Sequence, residues 1–215
     1  SDGYLVSFEA DLGNVTSGDV VEGGVAEAQF LPGTIPGVAT VVAKCGSATA
    51  EIYIKVVAAA PAVMNLTSDC SEVVAGSSDP CTVVARLYDA DGNAVADGFE
   101  VKFETDLGTI TSSDTTEGGV AEAQFYPGKA VGTATIEASC EGVSGQVTVD
   151  VIAGEPSSID LSCDCSEITV GSTTPCTITA RPEDQYGNAV SDGYLVSFEA
   201  DLGNVTSGDV VEGGV

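Results

Sequence analysis

Short runs in which apolar and polar residues alternate, separated by clusters of Gly, Asn, Asp and Ser, make up most of this chain. Phe99, Val101 and Phe103 alternate with Glu100 and Lys102, and Ala121, Ala123 and Phe125 with Glu122 and Gln124. Further on, Ala134, Ile136 and Ala138 alternate with Thr135 and Glu137, and Val147, Val149 and Val151 with Thr148 and Asp150. A period of two is that of a strand with one face buried. With Val83, Ala85 and Leu87 on an earlier run, these positions predict two inward faces packed as a β-sandwich. No stretch carries a helical period, so the expected fold class is all-β.

The pattern repeats. Residues 1–95 align with residues 96–190 without a gap and match at 47 positions, and residues 191–215 repeat residues 1–25 without a difference. The period of 95 residues is too long for a solenoid turn or propeller blade and fits one sandwich of about 100 residues. The larger unit is a 190-residue pair of unlike domains. Ala58-Ala59-Ala60-Pro61 and Ala153-Gly154-Glu155-Pro156 fall at the same phase after strand-like runs, which sets the expected boundaries. Residues 61–155 are then one complete domain, residues 1–60 the back part of another, and residues 156–215 the front part of a third. Both ends of the 215 residues are read as falling inside a domain, as in a fragment cut from a longer chain.

Composition narrows the partners. Thirty-three acidic residues face 6 basic ones and no histidine, for a formal charge of -27. A nucleic-acid partner is excluded, because binding a polyanion requires Lys and Arg to displace its counterions. The same field opposes anionic lipid, and the longest apolar run, from Val56 to Met64, is broken by Pro61 and too short to span a bilayer. Seven cysteines, none in a C-x-x-C, point to an oxidising compartment. Three N-x-T sequons, at Asn14, Asn65 and Asn204, fit a secreted surface.

Four motifs carry a family resemblance: residues 89–103 (DADGNAVADGFEVKF), 107–111 (LGTIT), 117–121 (EGGVA) and 132–136 (GTATI). In this order they resemble the bacterial immunoglobulin-like repeats of the invasin and intimin type, the Big family, and they touch all three copies. The resemblance implies tandem immunoglobulin-like Greek-key β-sandwiches. It also implies a stiff extracellular stalk that holds an adhesive tip away from the cell; no tip domain is recognisable here.

On that topology the first and second strands are antiparallel, with the turn near residues 76–80 between them. Cys70 and Cys81 flank this turn, as do Cys165 and Cys176, so each pair is expected to form a disulfide. Cys45 and Cys140 end the sixth strand, away from Cys81. Cys163 stands where the first domain type has Ser68, and is expected to bond the Cys45 equivalent of the following unit. Cys140 is then unpaired, or links rods side by side.

The remaining motifs are weighed against plainer readings. Asp89, Asp91 and Asn93 have the 1, 3, 5 spacing of a calcium loop, but the glycine is Gly92 and the second copy reads Asp184-Gln185-Tyr186-Gly187-Asn188. A tight turn is favoured and calcium is a weak candidate; no other cofactor is expected. Cys163 and Cys165 lack the partners a zinc site needs. Glu104 and Asp106 are an ordinary acidic pair, and no nucleophile stands with a base. A non-catalytic structural protein is therefore expected, its partners being copies of the same repeat end to end, with lateral contacts between fibres as a further expectation. Two alternatives stand beside the stalk: a subunit of a polymeric fibre assembled by domain completion between chains, and a ligand-binding module.

Overall fold

The structure, a computed structural model, describes residues 3–205 and 208–213. It is built from strands, turns and loops, with no helix among the described residues. Residues 63–152 contribute nine strands: β1 (Val63–Ser68), β2 (Glu72–Val74), β3 (Cys81–Tyr88), β4 (Glu100–Thr105), β5 (Thr109–Ile110), β6 (Ser113–Thr115), β7 (Val120–Tyr126), β8 (Gly132–Cys140) and β9 (Val143–Ile152). They form two sheets, one ordered β6-β4-β8-β9-β2 and the other β5-β7-β3-β1.

The alternating runs supply the two inner faces. Val83, Ala85 and Leu87 of β3 and Ala121, Ala123 and Phe125 of β7 lie in one sheet. They pack against Val101 and Phe103 of β4, Ala134, Ile136 and Ala138 of β8, and Val149 and Val151 of β9. All of these side chains are buried. Each Leu, Ile or Phe so enclosed contributes roughly 1.5–3 kcal/mol of transfer free energy. The alanines let the sheets close over Phe103 and Phe125, the largest buried side chains, since small residues opposite large ones fill the interlayer space without voids.

One feature was not legible in the alternation. β1 pairs antiparallel with β3, but the chain then crosses to the other sheet, where β2 runs parallel to the end of β9 with Val73 opposite Val151. The segment between the first and third strands is thus a switch between layers, and not a simple hairpin turn. Gly119 matters at the β6–β7 connection: Glu117 and Val120 bridge across Gly118 and Gly119, both at positive φ. A Cβ on Gly119 would stand 2.9 Å from Cβ of Ala94 and 3.0 Å from the carbonyl of Leu87, so both the turn and the close approach require glycine.

The flanking units repeat parts of this plan. Residues 5–56 hold a four-stranded sheet of Asp19–Val20, Leu5–Ala10, Gly37–Cys45 and Ala48–Val56, the counterpart of β6-β4-β8-β9. Residues 158–183 hold the pair Ser158–Cys163 with Ile178–Glu183, the counterpart of β1 and β3. With the opposite layer incomplete in each, both units leave exposed large apolar side chains, among them Ile52 and Leu161, whose counterparts Val147 and Leu66 pack against the core of the complete domain.

Candidate functional site

Where one sandwich meets the next, the turn after β3 reaches out of its own domain. Gly92, at φ 83°, lets the chain fold back so that Asp89 N–H donates to the Asn93 carbonyl at 2.8 Å. Oδ1 of Asp89 accepts the backbone N–H groups of Asp91 (3.0 Å) and Asn93 (2.9 Å), and both its oxygens accept from the Asn93 amide at 3.1 Å. This closed turn then presents two groups to the preceding unit. Oδ2 of Asp89 accepts the N–H of Ala59 at 3.1 Å, and Asn93 Nδ2 donates to the Thr34 carbonyl at 2.7 Å.

The arrangement recurs one period later. Oδ1 of Asp184 accepts the N–H groups of Tyr186 (2.8 Å) and Asn188 (3.0 Å), and Oδ2 accepts from Asn188 Nδ2 at 2.8 Å. Across the boundary Oδ2 accepts the N–H of Gly154 at 3.1 Å, and Asn188 Nδ2 donates to the Lys129 carbonyl at 2.8 Å. Asp89 and Asp184 are each only 2% exposed, so these contacts are shielded from competing water. The Asn93 amide holds the Asp89 carboxyl below its ordinary value, helped by N–H groups that include Ala59. Burial pushes the Asp184 carboxyl up, but the Asn188 side chain and the N–H groups of Asn188, Tyr186 and Gly154 outweigh it and hold it at about 2.

The second boundary adds an aromatic layer. Tyr186 stands at the position of Asp91 and lies so close to Gly76 that a Cβ there would collide with the ring. Lys129 Nζ sits 5.3 Å from the ring centroid, and the N–H of Gly76 donates to the Gly128 carbonyl at 2.5 Å. Tyr194 donates to Glu155 Oε2 at 3.1 Å. At the first boundary the counterparts of Lys129, Glu155 and Tyr194 are Thr34, Ala60 and Phe99, which offer no such contacts.

The expected site residues fall into three groups. Asp89 and Asn93 are the anchor just described, and N–H donors already engage both carboxylate oxygens of Asp89 that a calcium ion would need; the Asp91 side chain takes no part. Cys70 is bonded to Cys81 and Cys165 to Cys176, each pair 5.8 Å apart at Cα. Cys45, Cys140 and Cys163 are free. Asn14, Asn65 and Asn204 are exposed, although Thr206, which completes the Asn204 sequon, lies outside the described residues.

The structure bears on two expectations for the free cysteines. Ser68, the counterpart of Cys163, ends β1 beside Cys70, whereas Cys140 pairs with Val143 at the far end of β9. Gly145 lies against Met64 and Leu66, which places Cys140 level with the start of β1. Four or five strand residues then separate the two positions, about 15 Å at 3.3 Å each, beyond the reach of a disulfide. A bond between Cys163 and the Cys45 equivalent therefore does not fit this sandwich. Cys140 is only 4% exposed, and burial, with Glu141 nearby, raises its thiol pKa. Of the two expectations for Cys140, a buried thiol fits the unpaired one.

Sequence reasoning found the Asp–Gly–Asn turn but not its outward reach. The available signal was that Asp89 and Asn93 recur as Asp184 and Asn188 while Ala90 and Asp91 change to Gln185 and Tyr186.

Paired sheets of this order, in tandem at a fixed period, define the protein as a string of immunoglobulin-like β-sandwiches. Residues 60–154 match the family model described as Invasin, domain 3, so the complete domain is similar to the immunoglobulin-like domains of invasin. No curated protein sequence matches the chain. Among solved structures, it is similar to invasin, described as a bacterial integrin-binding protein, at 18% identity and TM-score 0.58, covering 98% of this chain and 48% of that one. It is also similar to InvD of Yersinia pseudotuberculosis, at 22% identity and TM-score 0.59, covering 91% and 63%. A third is FdeC, an Escherichia coli adhesin, at 22% identity and TM-score 0.59, covering 92% and 68%. The chain thus spans about half of invasin.

Proposed function

We propose that this chain is a length of non-catalytic extracellular stalk, in which immunoglobulin-like domains docked end to end hold the binding part of a bacterial surface adhesin away from the cell. The observation that carries this reading is the repeated junction. At both boundaries a buried Asp and its Asn partner accept a linker N–H and donate to a carbonyl of the domain before. A linker hydrogen-bonded into the next domain does not behave as a free coil. The descriptions of invasin as a bacterial integrin-binding protein and of FdeC as an adhesin support the setting, as do the two disulfides, which persist in oxidising compartments.

The test is the shape of a recombinant array of several 190-residue units. Micrographs and small-angle scattering should give straight particles advancing ~40 Å per domain, the length of strands of 8–10 residues with their loops. Beads on a flexible string would overturn the reading.

A second reading, domain completion between chains, is favoured by the open groove in residues 168–211. Its volume is about 740 Å³, and Ile178, Val196, Phe198 and Val211 are among the residues lining it. In the complete domain the counterparts of Ile178, Val196 and Phe198 are Val83, Val101 and Phe103, which sit in one core with β8 and β9. The matching stretch is residues 26–60, with Ala39, Val41 and Ile54 at the positions of Ala134, Ile136 and Val149. Dimers or longer assemblies of the 215-residue chain in sedimentation, lost when residues 26–60 are deleted, would support it; a monomer at all concentrations would remove it.

A further inference from the structure

Three sulfur atoms meet at one end of the second domain type, where the first type has two. Ser68 sits two residues before bonded Cys70, its Oγ 3.7 Å from the Cys70 sulfur. One period later the hydroxyl is replaced by a thiol. Cys163 Sγ lies 3.9 Å from Cys165 Sγ, and the sulfurs of Cys163, Cys165 and Cys176 all lie within 4.8 Å of one another. Cys163 is exposed, so the thiol is open to solvent on one side and faces a disulfide on the other. The likeness of the two copies shows that the backbone places whichever residue stands there against the bonded sulfur.

We propose that Cys163 makes the Cys165–Cys176 disulfide exchangeable by direct thiol attack. The Cys163 thiolate attacks Sγ of Cys165; the Cys163–Cys165 bond forms as the Cys165–Cys176 bond breaks, and the electron pair leaves on Sγ of Cys176. The proton given up by Cys163 is returned by water to Cys176. One thiol and one disulfide exist before and after, so neither oxidant nor reductant is consumed. Attack on Cys176 follows the same course and frees Cys165. A serine hydroxyl is no nucleophile toward a disulfide at ordinary pH, so Cys70–Cys81 is inert to this route. The repeat therefore carries one fixed and one exchangeable disulfide per pair of domains. Because Cys176 lines the open groove, exchange moves the free thiol from the exposed strand end to the edge of the groove.

The experiment is linkage mapping on the whole 215-residue chain, kept dilute without reductant at about pH 8.5, where an ordinary cysteine is half thiolate. After acid quenching and alkylation, cleavage before Asp164 separates Cys163 from Cys165 for mass spectrometry. The expected result is alkyl label divided between Cys163 and Cys176 or Cys165, with the matching Cys163 linkage present. Cys163→Ser should leave Cys165–Cys176 as the sole bond of that domain. Its fold is safe because the first domain type already carries serine there. Ser68→Cys should transfer the mixture to the first type. Label on Cys163 alone in the unaltered chain would overturn the proposal, and so would a mixture that persists in Cys163→Ser.

Discussion

The side-chain amide of Asn93 donates to the carbonyl of Thr34 across a domain boundary at 2.7 Å, and Asn188 does the same to Lys129 at 2.8 Å one period later. Each asparagine also holds the carboxylate that grips the linker, so one side chain ties the turn, the linker and the neighbouring domain together. Removing it should loosen the joint without touching either core. For Asn188→Ala we expect an array with a broader distribution of interdomain angles in scattering, and a loss of about 1–3 kcal/mol of docking energy, the cost of a missing hydrogen bond beside a buried carboxylate. The melting of residues 61–155 should stay unchanged. A fall in that melting temperature equal to the loosening would mean that the residue serves the domain and not the joint.

Acid should act on the same joint. The Asp184 carboxyl is held at about 2, below the ordinary 3.8, so the folded state favours its charged form. Its contribution is complete above about 3.8 and is lost as pH falls through about 2. Scattering between pH 5 and pH 1.5 should show the joint opening near the lower end of that window. Asp184→Asn should abolish the dependence, leaving a looser joint at every pH. Opening centred above pH 5 would point to other groups.

How much of this was legible in the sequence depended on the range of the interaction. The inner faces of β3, β4, β7, β8 and β9 followed from alternation, because burial of one strand face imposes a period of two on Val101 and Phe103 as on Ala121 and Phe125. The Cys70–Cys81 proximity followed from topology. The crossing of β2 to the opposite sheet did not, since three residues, Glu72–Val74, are too few to reveal a face. The outward reach of Asn93 was hidden for another reason: Asp, Gly and Asn are what a local turn wants, and the local role masks the long-range one. The partner of Cys163 was not legible because its place at the end of Ser158–Cys163, away from the Cys45 equivalent, depends on where the strand stops.

The disulfide at the layer switch should matter to stability. Cys70 and Cys81 are 11 residues apart in sequence and bracket the segment that leaves one sheet for the other. Closing so short a loop contributes roughly 2–3 kcal/mol by restricting the unfolded chain. Replacing both cysteines by alanine should lower the denaturant midpoint of residues 61–155 by a corresponding amount. No change would mean that the crossing of β2 already restrains the loop.

The two kinds of joint should differ in stiffness. Both carry the Asp–Asn anchor, but only the joint after residue 155 has Tyr186 against Gly76 with Lys129 near its ring. There the aromatic ring packs on backbone of the preceding domain, where the other joint has Asp91 in its place, and the lysine adds about 0.5–1 kcal/mol at an exposed site. A rod of this repeat should therefore bend at every second joint. In micrographs of a multi-repeat array, interdomain angles sorted by joint should fall into two populations, the narrower belonging to the Tyr186 joint. Tyr186→Asp should bring them closer together, because it gives the second joint the residue of the first while keeping the Tyr194–Glu155 hydrogen bond. Gly76→Ala should broaden the narrow population while leaving the other as it was, since a methyl group there displaces the ring. Equal widths for both joints in the unaltered array would show that the anchor alone sets the stiffness.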